Sequence, residues 1–280
     1  MKIGVIDVGG GLRGVYGAGV FDYCMENEIH FDYCVGISAG SANISSYLAK
    51  QMGRNYIFYT DFSFRKEYMS IQNFIKDHNY VDLDYIYGAL SNSDGEFPLD
   101  FLEAKRSNIP FVIVTTNALT GRAEYFHMSD MSLDHYDVIK ASCSVPVVNK
   151  PYMINDIPYY DGGMSDPIPI IKCFEDGCDK VVLILTRPKD YERVATKDEI
   201  IAKLMENDYP NAARAMKNRA EKYNLELALC KEYEKLGKVK IMAPDDIGDM
   251  STLTRDREEI KKLYAKGFLD AKEIEEFIKQ

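Results

Sequence analysis

The chain has 280 residues, with 34 Lys and Arg against 44 Asp and Glu and a formal net charge of −10. Hydrophobic residues make up 46% and charged residues 28%, which excludes global disorder and allows a core without disulfide or metal staples. The acidic balance argues against a broad nucleic-acid surface, because phosphate binding draws on an excess of Lys and Arg.

Lys2–Val8 is a short apolar run that stops at three glycines and reads as a buried strand. Gly14–Asn27 carries helix-spaced apolar residues, Phe31–Val35 reads as a second strand, and Ser41–Met52 as a second helix. This alternation predicts a parallel sheet with helices on its faces. Tyr56–Leu90 is rich in Tyr and Phe but poorly periodic; irregular structure with short helices is expected, capping a site. Ser91–Gly95 is a turn cluster. Pro98–Arg106 is expected to be helical, Phe111–Thr116 a strand with Gly121–Phe126 as its neighbour, and Leu133–Ser142 a helix. Pro151–Ile154 and Ile157–Tyr160 flank Asn155-Asp156 in the manner of a hairpin. Pro167–Phe174 is expected as a helix, Lys180–Thr186 as a buried strand and Pro210–Leu236 as a long helix. Val239–Met242 reads as a last short strand and Thr254–Lys279 as one charged amphipathic helix. The fold class is therefore α/β, a three-layer α/β/α arrangement on a mainly parallel sheet, with a helical C-terminal portion.

None of the six cysteines, Cys24, Cys34, Cys143, Cys173, Cys178 and Cys230, forms a CxxC pair, and none has the neighbours of a zinc site. The N-terminus lacks the apolar stretch of a secretory signal, and no window approaches the roughly 18 apolar residues of a membrane span. The expectation is a cytoplasmic protein with reduced thiols, peripheral in any membrane contact.

Three segments could carry chemistry. Gly9-Gly10-Gly11-Leu12-Arg13-Gly14 lies between a strand and a helix, where glycines let a ligand approach the backbone and free N–H groups attract negative charge. The same segment fits a ligand-free turn. It also matches the dinucleotide fingerprint, with Asp32 as the acidic residue, but Asp32 precedes the strand end where that fingerprint needs it. Gly36-Ile37-Ser38-Ala39-Gly40 follows the second strand, and in GxSxG the serine sits on a sharp strand-to-helix turn with its hydroxyl exposed. A plain helix cap at Ser38 or Ser41 is the alternative. Asp161-Gly162-Gly163 follows an apolar strand; alone, the tripeptide reads as a turn. The four histidines are His30, His78, His127 and His135, and none follows Asp161. A Ser–His–acid triad would need His127 or His135, both in polar stretches, so a Ser–Asp dyad is the simpler arrangement.

GGGLRG, then GISAG, then DGG, in that order and context, resembles the patatin-like phospholipases. Ala141–Pro146 is similar to that family's A-S-x-x-x-P segment, and Asp7-Val8 departs from its usual residues ahead of the glycines. The resemblance covers about residues 3–190, a catalytic domain, and leaves 191–280 as a mainly helical extension packed on the same domain. It implies a lipid acyl hydrolase with Ser38 as nucleophile and Asp161 as general base. The N–H groups of Gly10, Gly11 and Leu12 would form the oxyanion hole, with Arg13 fixing the loop or facing the anion. Gly9, Gly14, Gly36, Gly40, Gly162 and Gly163 complete the motifs. No metal or other cofactor is implied, and the partner is a lipid or small ester. Without a histidine the leaving group must need little protonation, which favours esters over amides. The alternatives are a non-lipid esterase with a His base and a silent relative that binds acyl chains. The aromatic Tyr56–Tyr87 stretch reads as packing or as an acyl pocket, and Lys217, Arg219 and Lys222 as a solvated helix face or a headgroup contact.

Overall fold

In the computed structural model, which describes residues 1–279, the chain opens with β1 (Ile3–Asp7), α1 (Val15–Glu26), β2 (Tyr33–Ile37) and α2 (Ala39–Leu48). Short helices α3 (Arg54–Thr60), α4 (Ile71–Asp77) and α5 (Phe101–Arg106) precede β3 (Phe111–Asn117), β4 (Ala123–His127) and α6 (Asp137–Ser142). The hairpin β5 (Tyr152–Ile154) and β6 (Ile157–Asp161) leads to α7 (Ile170–Glu175) and β7 (Lys180–Ile184). The rest is α8 (Thr196–Met205), α9 (Pro210–Lys235), β8 (Val239–Met242), α10 (Arg257–Asp270) and α11 (Lys272–Lys279).

The strands form one sheet in the order β5-β6-β3-β2-β1-β7-β8, with β4 also paired to β3. The strands β3, β2, β1, β7 and β8 are parallel; β4 and β6 run antiparallel to β3, and β5 antiparallel to β6. Val5, Cys34 and Ile113 face the layer that holds α1, α2, α10 and α11, whereas Ile6, Val35 and Val114 face α7 and α9. Both faces are covered, and for that reason the central strands read as continuous apolar runs rather than as alternating ones. The order reverses at β1, which has β2 on one side and β7 on the other. In an open parallel sheet the crevice at the carboxyl ends of such strands is where ligands sit.

The tail is joined to this frame by backbone. The strand β8 pairs with β7 in register Val181↔Val239 to Ile184↔Met242. Helix α10 crosses α1 at two glycines: a Cβ on Gly19 would overlap the Tyr264 carbonyl, and one on Gly267 the Tyr16 carbonyl. Between β8 and α10, a strap of chain brings Thr252 onto the glycine loop.

Three expectations are corrected. The expected helix Thr254–Lys279 is two helices that part at Ala271; the turn lets Ile274 and Phe277 bury, with the Phe277 carbonyl accepting from Lys180 Nζ at 3.0 Å. It starts at Arg257, because the Asp256 carboxylate caps the N–H groups of Glu258 and Glu259. The expected helix Leu133–Ser142 begins only at Asp137, since Asp134 sits at φ 66 in the left-handed region and its carboxylate holds Ser93. Helix α8 escaped the sequence reading because its mixed charges hide a narrow apolar face of Ala202 and Met205.

Candidate active site

The glycine loop after β1, the turn after β2, the end of β6 and the segment after β7 converge on one cavity of about 640 Å³. Gly9, Gly10, Gly11, Leu12, Arg13, Ser38, Asp161 and Gly163 line it. The motif residues Gly14, Gly36, Gly40 and Gly162 do not. They instead let chains touch: a Cβ on Gly40 would overlap the Asp7 carbonyl, and one on Gly162 the Val114 carbonyl.

Ser38 stands between β2 and α2 at φ 55, ψ −133, a conformation that costs a non-glycine residue roughly 1–3 kcal/mol. Its hydroxyl does not cap α2. Its N–H donates to Ser142 Oγ at 2.9 Å, and that hydroxyl donates to the Val114 carbonyl at 2.7 Å. Ser142, from the segment ahead of the hairpin, thus ties the elbow to β3. Asp7 braces it from below: its carboxylate accepts from Gly9 N–H at 2.9 Å and from Asn43 Nδ2 at 2.8 Å, and burial pushes its pKa up to about 6. Asp7 is a departure from the family pattern that touches the elbow rather than the cavity.

Asp161 ends β6. One carboxylate oxygen accepts from Gly163 N–H at 2.8 Å, so the turn expected at DGG is present, and the Ser38 hydroxyl neighbours the same carboxylate. Burial raises the Asp161 pKa; the positive charge of Arg219, the Ser38 hydroxyl and the Gly163 N–H oppose that rise. The Ser38 hydroxyl also neighbours Cys143, whose thiol burial pushes up to about 12, so this cysteine stays protonated at neutral pH.

Gly10 lies at φ 125, open to glycine alone in practice. Among the described residues, the N–H groups of Gly10 and Gly11 have no partner in the chain. The Leu12 N–H differs from expectation: it donates to the Thr252 carbonyl at 2.9 Å and is not free for an oxyanion. Arg13 Nη1 donates to Thr252 Oγ1 at 3.2 Å, while its buried Nε has no partner.

Part of the cavity lining is aromatic, with Phe58, Tyr59, Tyr68 and Tyr87 from the stretch that sequence left between packing and pocket, and Arg54 stacked over the Phe58 ring at 4.4 Å. Arg187, Tyr191, Arg193, Arg219 and Tyr223 also line it. The sequence left Arg219, with Lys217 and Lys222, between a solvated helix face and a headgroup contact. The structure turns it inward, on the stripe of Met216, Ala220, Tyr223 and Leu227 that α9 buries. That periodicity was the available signal. Lys222 is engaged elsewhere, with Asp166 at 2.9 Å. Arg187 and Arg193 carried no sequence signal beyond lying after a buried parallel strand.

A parallel α/β sheet with a serine elbow, a glycine loop and a buried aspartate at its carboxyl edge defines a class of proteins. The chain belongs to the patatin-like phospholipase family, whose pattern it matches over residues 8–173. Residues 209–280 match a second family, described as a domain of unknown function (DUF6363). The uncharacterized protein YjjU of Escherichia coli (strain K12) is 28% identical over 202 residues, which are 67% of this chain and 52% of YjjU. The chain thus spans about half the length of that curated relative. The crystal structure of VipD from Legionella pneumophila aligns with a TM-score of 0.49 and 13% identity, over 98% of this chain and 66% of that one.

Proposed function

We propose that the protein hydrolyses carboxylic esters of lipid acyl chains, with Ser38 as nucleophile and Asp161 as general base. The observation that carries this reading is the Ser38 elbow, held at positive φ in one cavity with the buried Asp161 carboxylate and the unpartnered Gly10 and Gly11 N–H groups. Ser38 Oγ attacks the ester carbonyl as its proton passes to Asp161. Charge growing on the carbonyl oxygen meets the Gly10 and Gly11 N–H groups, and one such donor is worth roughly 2.7–4 kcal/mol. Collapse expels the alcohol, which takes the proton back, and water activated by Asp161 releases the acid.

Free aspartate is a weak base, and burial of Asp161 raises its proton affinity toward what the step needs. No histidine lines the cavity, which favours the dyad over a histidine-based esterase. The aromatic wall supplies apolar surface for an acyl chain. Helix α4, which follows the cavity-lining Tyr68 and Met69 in the chain, exposes Ile71 and Ile75 by about 70% (67% and 73%), a face suited to peripheral contact with lipid.

Reaction with a fluorophosphonate, followed by peptide mapping, should place the adduct on Ser38. Ser38→Ala should abolish hydrolysis of a short-chain aryl ester, and Asp161→Asn should lower kcat by roughly 10²–10⁴-fold. Full activity in Asp161→Asn would overturn the dyad.

A further inference from the structure

Four guanidinium groups line this cavity without pairing to a carboxylate; Arg54 spends its N–H groups on the Ser46 and Ser91 hydroxyls and the Phe97 and Pro98 carbonyls, which leaves three. Among the described residues, Arg13, Arg187 and Arg219 form no ion pair, although the chain carries an excess of acidic side chains. The two carboxylates nearby are otherwise occupied. Asp198 holds Arg193 in a two-pronged pair at 2.9 Å, and Asp161 faces Ser38 and Gly163 N–H. Arg187 lies only over the Tyr191 ring, at 4.2 Å. The Nε atoms of Arg13 and Arg219 are buried with no acceptor.

Such an arrangement is costly without a ligand, since buried cations need a partner and like charges disfavour one another. Burial, with Arg187 and Arg193 close by, pulls the Arg13 pKa down to about 10, and burial with Arg193 lowers that of Arg219. Guanidinium forks match the oxygens of phosphate and carboxylate. The cluster also has a definite place. Arg13 follows the unpartnered glycine N–H groups, and a Cβ on Gly163 would lie 3.5 Å from Arg219 Nη2. The cavity that holds Ser38 is therefore lined both by aromatic rings and by this cationic cluster. Arg187 and Arg219 lie outside residues 8–173, so the cationic cluster is contributed largely by chain beyond the patatin-like match.

We propose that Arg13, Arg187 and Arg219 form a subsite for an anionic oxygen group, phosphate or carboxylate, carried by the substrate of the Ser38 site, and that it selects anionic over neutral amphiphiles. The proposal rests on reading this cavity as the substrate site. Turnover is not needed to test it. The Ser38→Ala protein is titrated calorimetrically with octyl phosphate, octanoate, octyl glucoside and inorganic phosphate.

Octyl phosphate or octanoate should bind about tenfold or more tightly than octyl glucoside, and Arg187→Gln should reduce that preference by about tenfold. Arg187→Lys, which keeps the charge but not the fork, should restore part of it. Binding of inorganic phosphate as tight as that of octyl phosphate would support the subsite and assign it to free phosphate; weaker binding would support an amphiphile headgroup. Equal affinity for glucoside and anions, or a preference untouched in folded Arg187→Gln, would overturn the proposal. Anion preference in a protein that hydrolyses no ester would leave the subsite standing and remove only the hydrolase reading.

Discussion

The Asp161 carboxylate is under two opposed influences, and that makes its titration predictable. Burial raises its pKa and the Arg219 charge lowers it. In the proposed mechanism the base must be ionised to accept the Ser38 proton, so activity on a neutral ester should fall as pH drops through the Asp161 pKa, above the ordinary aspartate range. Arg219→Gln removes the opposing charge and should move the acid limb of kcat/KM to higher pH; an unmoved or lowered limb would refute the assignment. Asp7 gives a second test, in stability. Its pKa rises on folding from 3.8 to about 6, so the folded state binds the proton more tightly. Its contribution to stability is largest below the unfolded value and is lost as pH rises through about 6, a change of about 3 kcal/mol. Urea unfolding of wild type and Asp7→Asn between about pH 4 and pH 7 should show that slope in the first and not in the second.

At the scale of elements, glycines decide how closely helices and strands approach. Gly40 lets α2 start against β1, which sets the elbow beneath the glycine loop, and Gly19 with Gly267 lets α10 lie directly on α1. Alanine at Gly267 would gain up to about 1 kcal/mol of helix propensity. The overlap with the Tyr16 carbonyl is backbone and cannot swing aside, and such overpacking costs about 1–3 kcal/mol. Gly267→Ala should therefore lower the unfolding midpoint, measured by thermal or urea denaturation. The strap at Thr252 works at the same scale: by holding Leu12 N–H and Arg13 it positions the glycine loop and leaves two N–H groups, rather than three, open to the cavity.

For the whole molecule, the sheet and the α1–α10 contact tie residues 209–280 to the frame that holds Ser38. Withdrawal of β8 would expose the edge of β7, and withdrawal of α10 would uncover the face of α1 that carries Gly19. Calorimetry should accordingly give one unfolding transition with a van't Hoff to calorimetric enthalpy ratio of about 1. Two resolved transitions would mean that the C-terminal part unfolds by itself. No helix among the described residues is long and apolar enough to cross a membrane.

The α/β alternation, the strands β1, β2, β3, β7 and β8, and the three motifs that meet at the cavity were all legible in the sequence. Buried parallel strands are apolar on both faces, and a tight strand-to-helix turn needs glycine at particular positions, so both leave a mark within a few residues of chain. The inward turn of Arg219, the capture of Leu12 N–H by Thr252, the brace from Ser142 and the break at Ala271 were not legible. Each depends on a partner far away in the chain, and a side chain that spans apolar surface to reach a buried charge looks, in sequence, like one that reaches water. The sequence by itself determined most of the strand and helix pattern and the places of the three motifs. Only the tertiary structure decided which N–H groups remain free, how the Asp161 charge is balanced, and which cations stand without a partner at the site.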